Sequence, residues 1–277
     1  MFKSAKFIAS ALLLLIISFI VFCAPAEKEP SEYAPEGLVA PSDLALETNN
    51  ESMKLSWRTN RTEDMIISGY NIYISTQPLI DPSNPNRIKK GIEPFNPVTY
   101  PGDADPQIKY ETYEASGLEN GVEYHVAVTT VYPDRIESPP SNIVTATCYP
   151  QGTVTIKDRS VGDPDGFSFS KQEYAAYNSL DNDLYFIARD IGNMIGSPDR
   201  NDGVLKHTLF AELKMENELT SRHDYKNLNF KDRSFVAEGN VYLLELSDGS
   251  RAKIRIKQVD SSAFKKQVIF DYIYFGQ

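Results

Sequence analysis

Short runs in which apolar and polar residues alternate, separated by turn residues, constrain this chain more than any other feature. In "SMKLSWR", Met53, Leu55 and Trp57 fall on one face and Lys54, Ser56 and Arg58 on the other, as in a strand buried on one side. "SGYNIYIS" repeats the pattern with Tyr70, Ile72 and Ile74, and "EYHVAVTTV" with Tyr124, Val126 and Val128. His125, lying between inward Tyr124 and Val126, should face outward. A last run, "SNIVTATCY", alternates Ile143 against Val144 less cleanly and ends at Pro150. Regular short strands with turn chemistry between them predict a β-sandwich.

Residues 41–150 resemble a fibronectin type III domain. The resemblance is carried by "APSDLAL" at the first strand, Trp57 on the second, "GYNIYIS" on the third, the block "GLENGVEYHVAVTTV", and "SPPSN" before the final strand. It implies that Leu118 and Tyr124 form a tyrosine corner, the hydroxyl bonding back to the backbone to pin the crossover. The chain departs from the family between Ser75 and Tyr110, where Pro78, Pro82, Pro85, Pro94, Pro97, Pro101 and Pro106 crowd a segment of little periodicity. Proline removes ladder donors, so this segment is expected as loop or edge. Long loops on rigid sandwiches often carry binding surfaces, and they are also tolerated insertions. The family's integrin-binding tripeptide is absent.

Strand signals resume in residues 151–277. "GTVTIKDRSV" opens them. In "NDLYFIARDIGNMIG", Leu184, Phe186 and Ala188 oppose Tyr185 and Ile187, which predicts a central strand buried on both sides. "KHTLFAELKMENEL" fits a short helix and a strand equally. "GNVYLLELSDGSRAKIRIKQV" reads as strand, Asp248-Gly249 turn and strand, and "QVIFDYIYF" closes the chain as another. The expected fold class is all-β: a fibronectin type III β-sandwich followed by a second antiparallel β-rich domain.

This ending resembles the tail of HmuY-like haem-binding lipoproteins, through Tyr242, the Asp248-Gly249 turn, Lys253 to Ile256, and alternating Phe270, Tyr272 and Tyr274. "FSFSKQEYAAYNSLDNDLYFIARD" is similar to that family's opening hairpin and core strand, with Tyr185 or nothing in place of its usual tryptophan. The resemblance implies haem held between two histidines, imidazole nitrogen suiting iron. This domain offers His207 and His223, with Tyr225 and Met215 nearby, at spacings unlike the family's. Exposed loop histidines are the simpler account, and the expectation is no cofactor, with haem at His207 and His223 as the alternative.

The chain begins with Lys3 and Lys6 followed by "FIASALLLLIISFIVF", uncharged from Phe7 to Phe22, a signal-peptide layout. These 16 residues would rise about 24 Å as a helix, short of a roughly 30 Å hydrocarbon core. Residues 1–22 resemble a bacterial, spirochaete-like lipoprotein signal, departing from the usual small residue at Phe22. That implies lipid on Cys23 and a membrane partner through it. Residues 23–40 then form a Pro- and Glu-rich tether, which reaches at most about 60 Å.

Without Lys3 and Lys6 the chain carries 26 basic against 38 acidic residues, a net charge of −12. Such a chain repels phosphate backbones, so nucleic acid is excluded as a partner. With Cys23 lipidated, Cys148 is a lone thiol, read as a small hydrophobe at a strand end. The acidic turns "GDPDGFS", with Asp163 and Asp165, and "SPDRNDGVL", with Asp199, Asn201 and Asp202, lack EF-hand spacing and its terminal glutamate. Turn chemistry accounts for them. Asp181 and Asp183 read as solvated caps flanking a strand rather than an acid–base pair. No GxSxG, HExxH, phosphate loop or Rossmann fingerprint occurs. The expected function is non-catalytic binding by an envelope lipoprotein, with a protein or host component as partner; haem capture and an architectural scaffold are the alternatives.

Overall fold

The computed structural model describes residues 37–62, 65–103, 105, 107–200, 206–214, 219 and 227–276; the leader, Cys23, His223 and most of the tether lie outside them. Strands β1 (Ser42–Asn49), β2 (Ser52–Arg58), β3 (Gly69–Ser75), β4 (Ile80–Asp81), β5 (Asn84–Ile88), β6 (Tyr110–Ser116), β7 (Glu123–Val131) and β8 (Val144–Thr147) make a first antiparallel sandwich. One sheet has the order β1-β2-β6 and the other β3-β7-β8. The alternation in "SMKLSWR" does what its period requires: Met53, Leu55 and Trp57 are fully buried and face Tyr70, Ile72, Val126 and Val128 across the sandwich. The Trp57 ring stands edge-on to Tyr70, centroids 5.3 Å apart. Cys148 closes this core, its buried thiol donating to the Ser52 carbonyl at 3.2 Å. Burial pushes that thiol's pKa up, which suits a small hydrophobe and not a nucleophile.

The proline-rich segment is ordered by two separate devices. Its first half folds as the β4-β5 hairpin and lays Leu79 against Tyr73 and Ala127, with Ile88 and Ile92 packed around them. These residues cover the outer face of the β3-β7-β8 sheet, so that sheet is buried on both sides over part of its area. The second half, residues 95–100, runs along the free edge of β3. The Phe95 N–H donates to the Ile72 carbonyl at 2.7 Å, and Tyr100 and Tyr70 exchange both backbone bonds at 2.7 and 2.9 Å. Between them the Asn96 side chain accepts from the Ile72 N–H and donates to the Tyr70 and Val98 carbonyls. A side-chain amide thus completes a ladder that Pro94, Pro97 and Pro101 cannot. The expectation of loop or edge was right for residues 95–100 and missed the hairpin.

Strands β9 (Gln151–Lys157), β10 (Gly166–Ser168), β11 (Glu173–Ala175), β12 (Leu184–Arg189), β13 (Gly192–Gly196), β14 (Leu209–Glu212), β15 (Arg233–Phe235), β16 (Val241–Glu245), β17 (Arg251–Asp260) and β18 (Gln267–Gly276) form the rest. They make two five-stranded antiparallel sheets, β11-β10-β12-β13-β15 and β14-β16-β17-β18-β9. Both sheets bury their inner faces in one core, with Phe167, Phe169, Phe186 and Ile195 from the first meeting Phe210, Tyr242, Ile254, Phe270 and Tyr272 from the second. β12 lies between β10 and β13, the central place its run of apolar residues required. The ambiguous "KHTLFAELKMENEL" resolves as strand at Leu209–Glu212. There Phe210 enters the core while Leu213 packs on the sheet's other face with Val241, Leu243, Leu228 and Phe230.

Where the sandwiches join, the Tyr274 N–H donates to the Pro150 carbonyl at 2.8 Å, the Tyr149 and Phe275 rings meet edge-on at 5.2 Å, and the Gln151 amide bonds the Thr48 carbonyl. A crevice of about 260 Å³ opens beside these contacts, lined by Glu123, Thr145, Thr147, Tyr149, Ile273 and Phe275 among others.

Candidate functional site

Turns and hairpin tips, rather than strands, bring chemistry to the surface of this fold. At the end of the second sandwich away from Pro150, the β12-β13 tip presents Ile191 and the β17-β18 tip presents Phe264. Asp158 ties the two tips together. Its N–H donates to the Lys266 carbonyl at 2.7 Å, while its carboxylate accepts from the Ala188 N–H and the Ser160 N–H, both at 2.8 Å. Burial raises this carboxyl's pKa, but the bonds from Ser160 and Ala188 outweigh it and hold the group below the usual carboxylate range.

Three large apolar side chains stand in solvent at this pole. Phe264 is 94% exposed, Ile191 77% and Phe235 59%, the last lying against Gly192 at the start of β13. Around them both charge signs alternate: Arg189 beside Asp190 on one tip, Asp260 followed by Lys265 and Lys266 on the other. Apolar anchors in a mixed-sign polar rim are what a protein–protein contact uses. A one-signed basic patch, as a phosphate backbone or anionic lipid surface requires, is not what these tips present.

The residues singled out in the sequence are dispersed. His207 is half-exposed, and its Nδ1 lies 2.5 Å from the Asp199 carboxylate; His223, Met215, Tyr225, Asn201 and Asp202 lie outside the described residues. Asp165 is buried and accepts from the Tyr177 N–H at 2.9 Å, a turn role. His125 lies on the outer face of β7, as its alternation demanded. Among the described residues no three His, Cys, Asp or Glu side chains converge where a metal ion could be held.

Asp183 departs from its expected place. Asp181 is indeed solvated, pairing with Lys171 at 2.9 Å, but Asp183 is only 1% exposed. Its carboxylate accepts from the Phe169 N–H at 2.7 Å and pairs with Lys206 at 2.7 Å. Burial pushes its pKa up despite Lys206. Its sequence neighbours gave no sign of this, because the partner lies on another element. Glu137 was missed for the same reason: on the outer face of the first sandwich its carboxylate accepts from Asn71, Tyr73 and Thr129 at 2.6–3.0 Å. Burial and the Glu137 charge together drive the Tyr73 phenol's pKa far up, so the phenol keeps its proton and donates it to the Glu137 carboxylate.

Comparison with known proteins bears on the first sandwich. Residues 39–147 match the family model of the fibronectin type III domain. No curated protein matches the chain. Among solved structures it is similar to one described as a myokine structure, at 16% identity and a TM-score of 0.24, over 40% of this chain and 97% of that one. It is also similar to the family 28 exopolygalacturonase of Yersinia enterocolitica, at 24% identity and a TM-score of 0.26, over 40% of this chain and 20% of that one.

Proposed function

We propose that this is a non-catalytic interaction protein of the cell envelope, held to a membrane by lipid on Cys23, whose second sandwich presents the contact surface to a protein partner. The observation that carries the reading is the fibronectin type III module over residues 39–147, an architecture suited to binding and spacing rather than to chemistry. The exposed Phe264, Ile191 and Phe235 at the far pole supply apolar anchors, and the charges around them supply a rim that sets register more than affinity. The contacts at Pro150 would let the first sandwich act as a spacer behind that pole.

Two measurements test this together. Metabolic labelling with a fatty-acid analogue should mark the wild type and spare Cys23→Ser; label retained in the variant overturns the anchor. A photo-crosslinking residue placed at 264 or 191 should yield one adduct of defined mass in intact cells, and the same residue at exposed Lys54 should not. Equal adducts at all three positions, or none at the pole, overturns the contact surface.

A further inference from the structure

The end of the first sandwich that receives the chain, where the Asn60 amide holds the Ala40 carbonyl, contains a group of buried polar atoms that the protein itself does not satisfy. Trp57 and Glu111 are cross-strand partners on β2 and β6 and both turn inward. A carboxylate therefore enters the core beside the indole, and Glu111 is 4% exposed. One of its oxygens, Oε2, accepts from the Asp103 N–H at 2.9 Å. The other, Oε1, has no hydrogen-bond partner, and neither do Trp57 Nε1, Thr59 Oγ1 or Tyr70 Oη. The Thr59 hydroxyl lies near enough to Tyr70 to influence its phenol, yet the two oxygens do not close a bond of good geometry.

The side chains that carry these atoms adjoin one another. The Trp57 and Tyr70 rings are in contact at 5.3 Å. A Cβ on Gly102 would come within 2.8 Å of the Tyr70 ring and 3.0 Å of Glu111 Oε1, so the Tyr100–Asp103 loop lies directly over phenol and carboxylate alike. Gly102 has φ +67°, and a side chain there would be strained and would press on both groups. Arg61 clamps the same loop, its Nη2 donating to the Asp103 carbonyl at 3.0 Å.

Buried polar groups in folded proteins are almost always paired, with ordered water where protein groups do not reach. The chemistry of the set selects the occupant. The Trp57 indole can only donate, Glu111 Oε1 as a carboxylate can only accept, and the two hydroxyls do either. A cation would be repelled by the indole N–H and by Arg61, and an anion by Glu111. Only a small neutral molecule that both donates and accepts satisfies all four. We propose that Trp57, Thr59, Tyr70 and Glu111 form an internal water site, one or two molecules sealed beneath the Tyr100–Asp103 loop, with Glu111 joining the water to the loop's backbone.

The chain has a single tryptophan, so one indole resonance reports on the site. In the full chain labelled with ¹⁵N-tryptophan, the Trp57 Hε1 proton should show a cross-relaxation peak at the water frequency with the sign of a long-lived contact. Hydroxyl protons that exchange with water could mimic this peak, so Thr59→Val, Tyr70→Phe and the double variant that lacks both hydroxyls are measured too. A held water keeps its peak in each variant, because its remaining partners persist. Absence of the peak in the folded wild type overturns the proposal, and so does a peak that vanishes in any hydroxyl-deleting variant.

Discussion

The hydroxyl of Tyr124, on β7, accepts a hydrogen bond from the Glu119 backbone N–H at 2.9 Å. Leu118 is buried in the first core just before that donor, so the crossover from β6 into β7 is pinned by an apolar residue and a backbone bond within two positions. This is the tyrosine corner that the first sandwich's match to the fibronectin type III domain implies. Tyr124→Phe keeps the ring and deletes the bond. The expected loss is about 1 kcal/mol, read as a lower urea midpoint at unchanged slope.

The β4-β5 hairpin should behave as part of the first sandwich and not as a mobile loop. Leu79 is its apolar anchor, buried against Tyr73 and Ala127. Leu79→Ala is expected to cost about 2–5 kcal/mol. Faster amide hydrogen exchange should appear at residues 80–92 before it appears in β2 or β6. Protection at 80–92 unchanged from wild type would mean that the hairpin is held by something other than Leu79.

These two cases show what could and could not be read from the chain. The corner was legible through the resemblance to the fibronectin type III domain, carried by the short block "GLENGVEYHVAVTTV" that holds both of its residues. The main strands, including the Asp248-Gly249 hairpin, were legible through their period of two. Residues 75–110 were not, since proline content reports missing donors and says nothing of a side chain such as Asn96 that replaces them. Asp183, Glu137 and Glu111 were illegible for a related reason: each carboxylate's place depends on partners from other elements, and a lone acidic residue in sequence looks like a solvated one. The pole bearing Phe264 and Ile191 was hidden because single apolar residues in turns carry no periodicity.

Glu111 makes the first sandwich's stability depend on pH in an unusual direction. Burial raises its carboxyl pKa above the ordinary value; the Arg61 charge and the Asp103 N–H oppose this, and the Asp103 carboxylate adds to it. Tyr70 and Tyr100 also face it, their phenols raised first by burial and then by the Glu111 charge. In the window between the ordinary and the raised pKa the folded state binds the proton and the unfolded chain does not, so this group's contribution to stability falls as pH rises. Glu111→Gln keeps an acceptor for the Asp103 N–H without the charge. The variant should be more stable than wild type at pH 7, and the difference should shrink as pH falls through that window. A difference constant from pH 4 to pH 7 would show that Glu111 is not titrating against burial.

Haem should not draw on His207. Its Nδ1 is engaged by Asp199, and the ring stands half in solvent, whereas a haem site is buried and apolar. Titration of the full chain with haem, followed by absorbance, is expected to give the same curve for wild type and His207→Ala. A sharp Soret shift present in wild type and lost in the variant would restore the haem reading.

The far pole separates surface chemistry from the fold that displays it. Phe264 and Ile191 touch little, so Phe264→Asp and Ile191→Asp should leave stability within about 0.5 kcal/mol while abolishing the adduct formed at the pole. Asp158 is the opposite case: nearly buried, it contributes backbone and carboxylate bonds to both tips. Asp158→Ala strips the acceptor from the Ala188 and Ser160 N–H groups and is expected to cost about 1.5–3 kcal/mol, the usual worth of a bond to a charged group. Because its folded pKa is depressed, the stability it contributes is present above the ordinary carboxylate value of about 3.9 and is lost as pH falls through the folded value. Wild type and Asp158→Ala should therefore converge in stability in acid and diverge toward neutral pH. Partner binding should fail in Asp158→Ala even where the protein remains folded, since Ile191 and Phe264 would no longer be held in register. Binding retained in a folded Asp158→Ala protein would mean that one tip alone makes the contact.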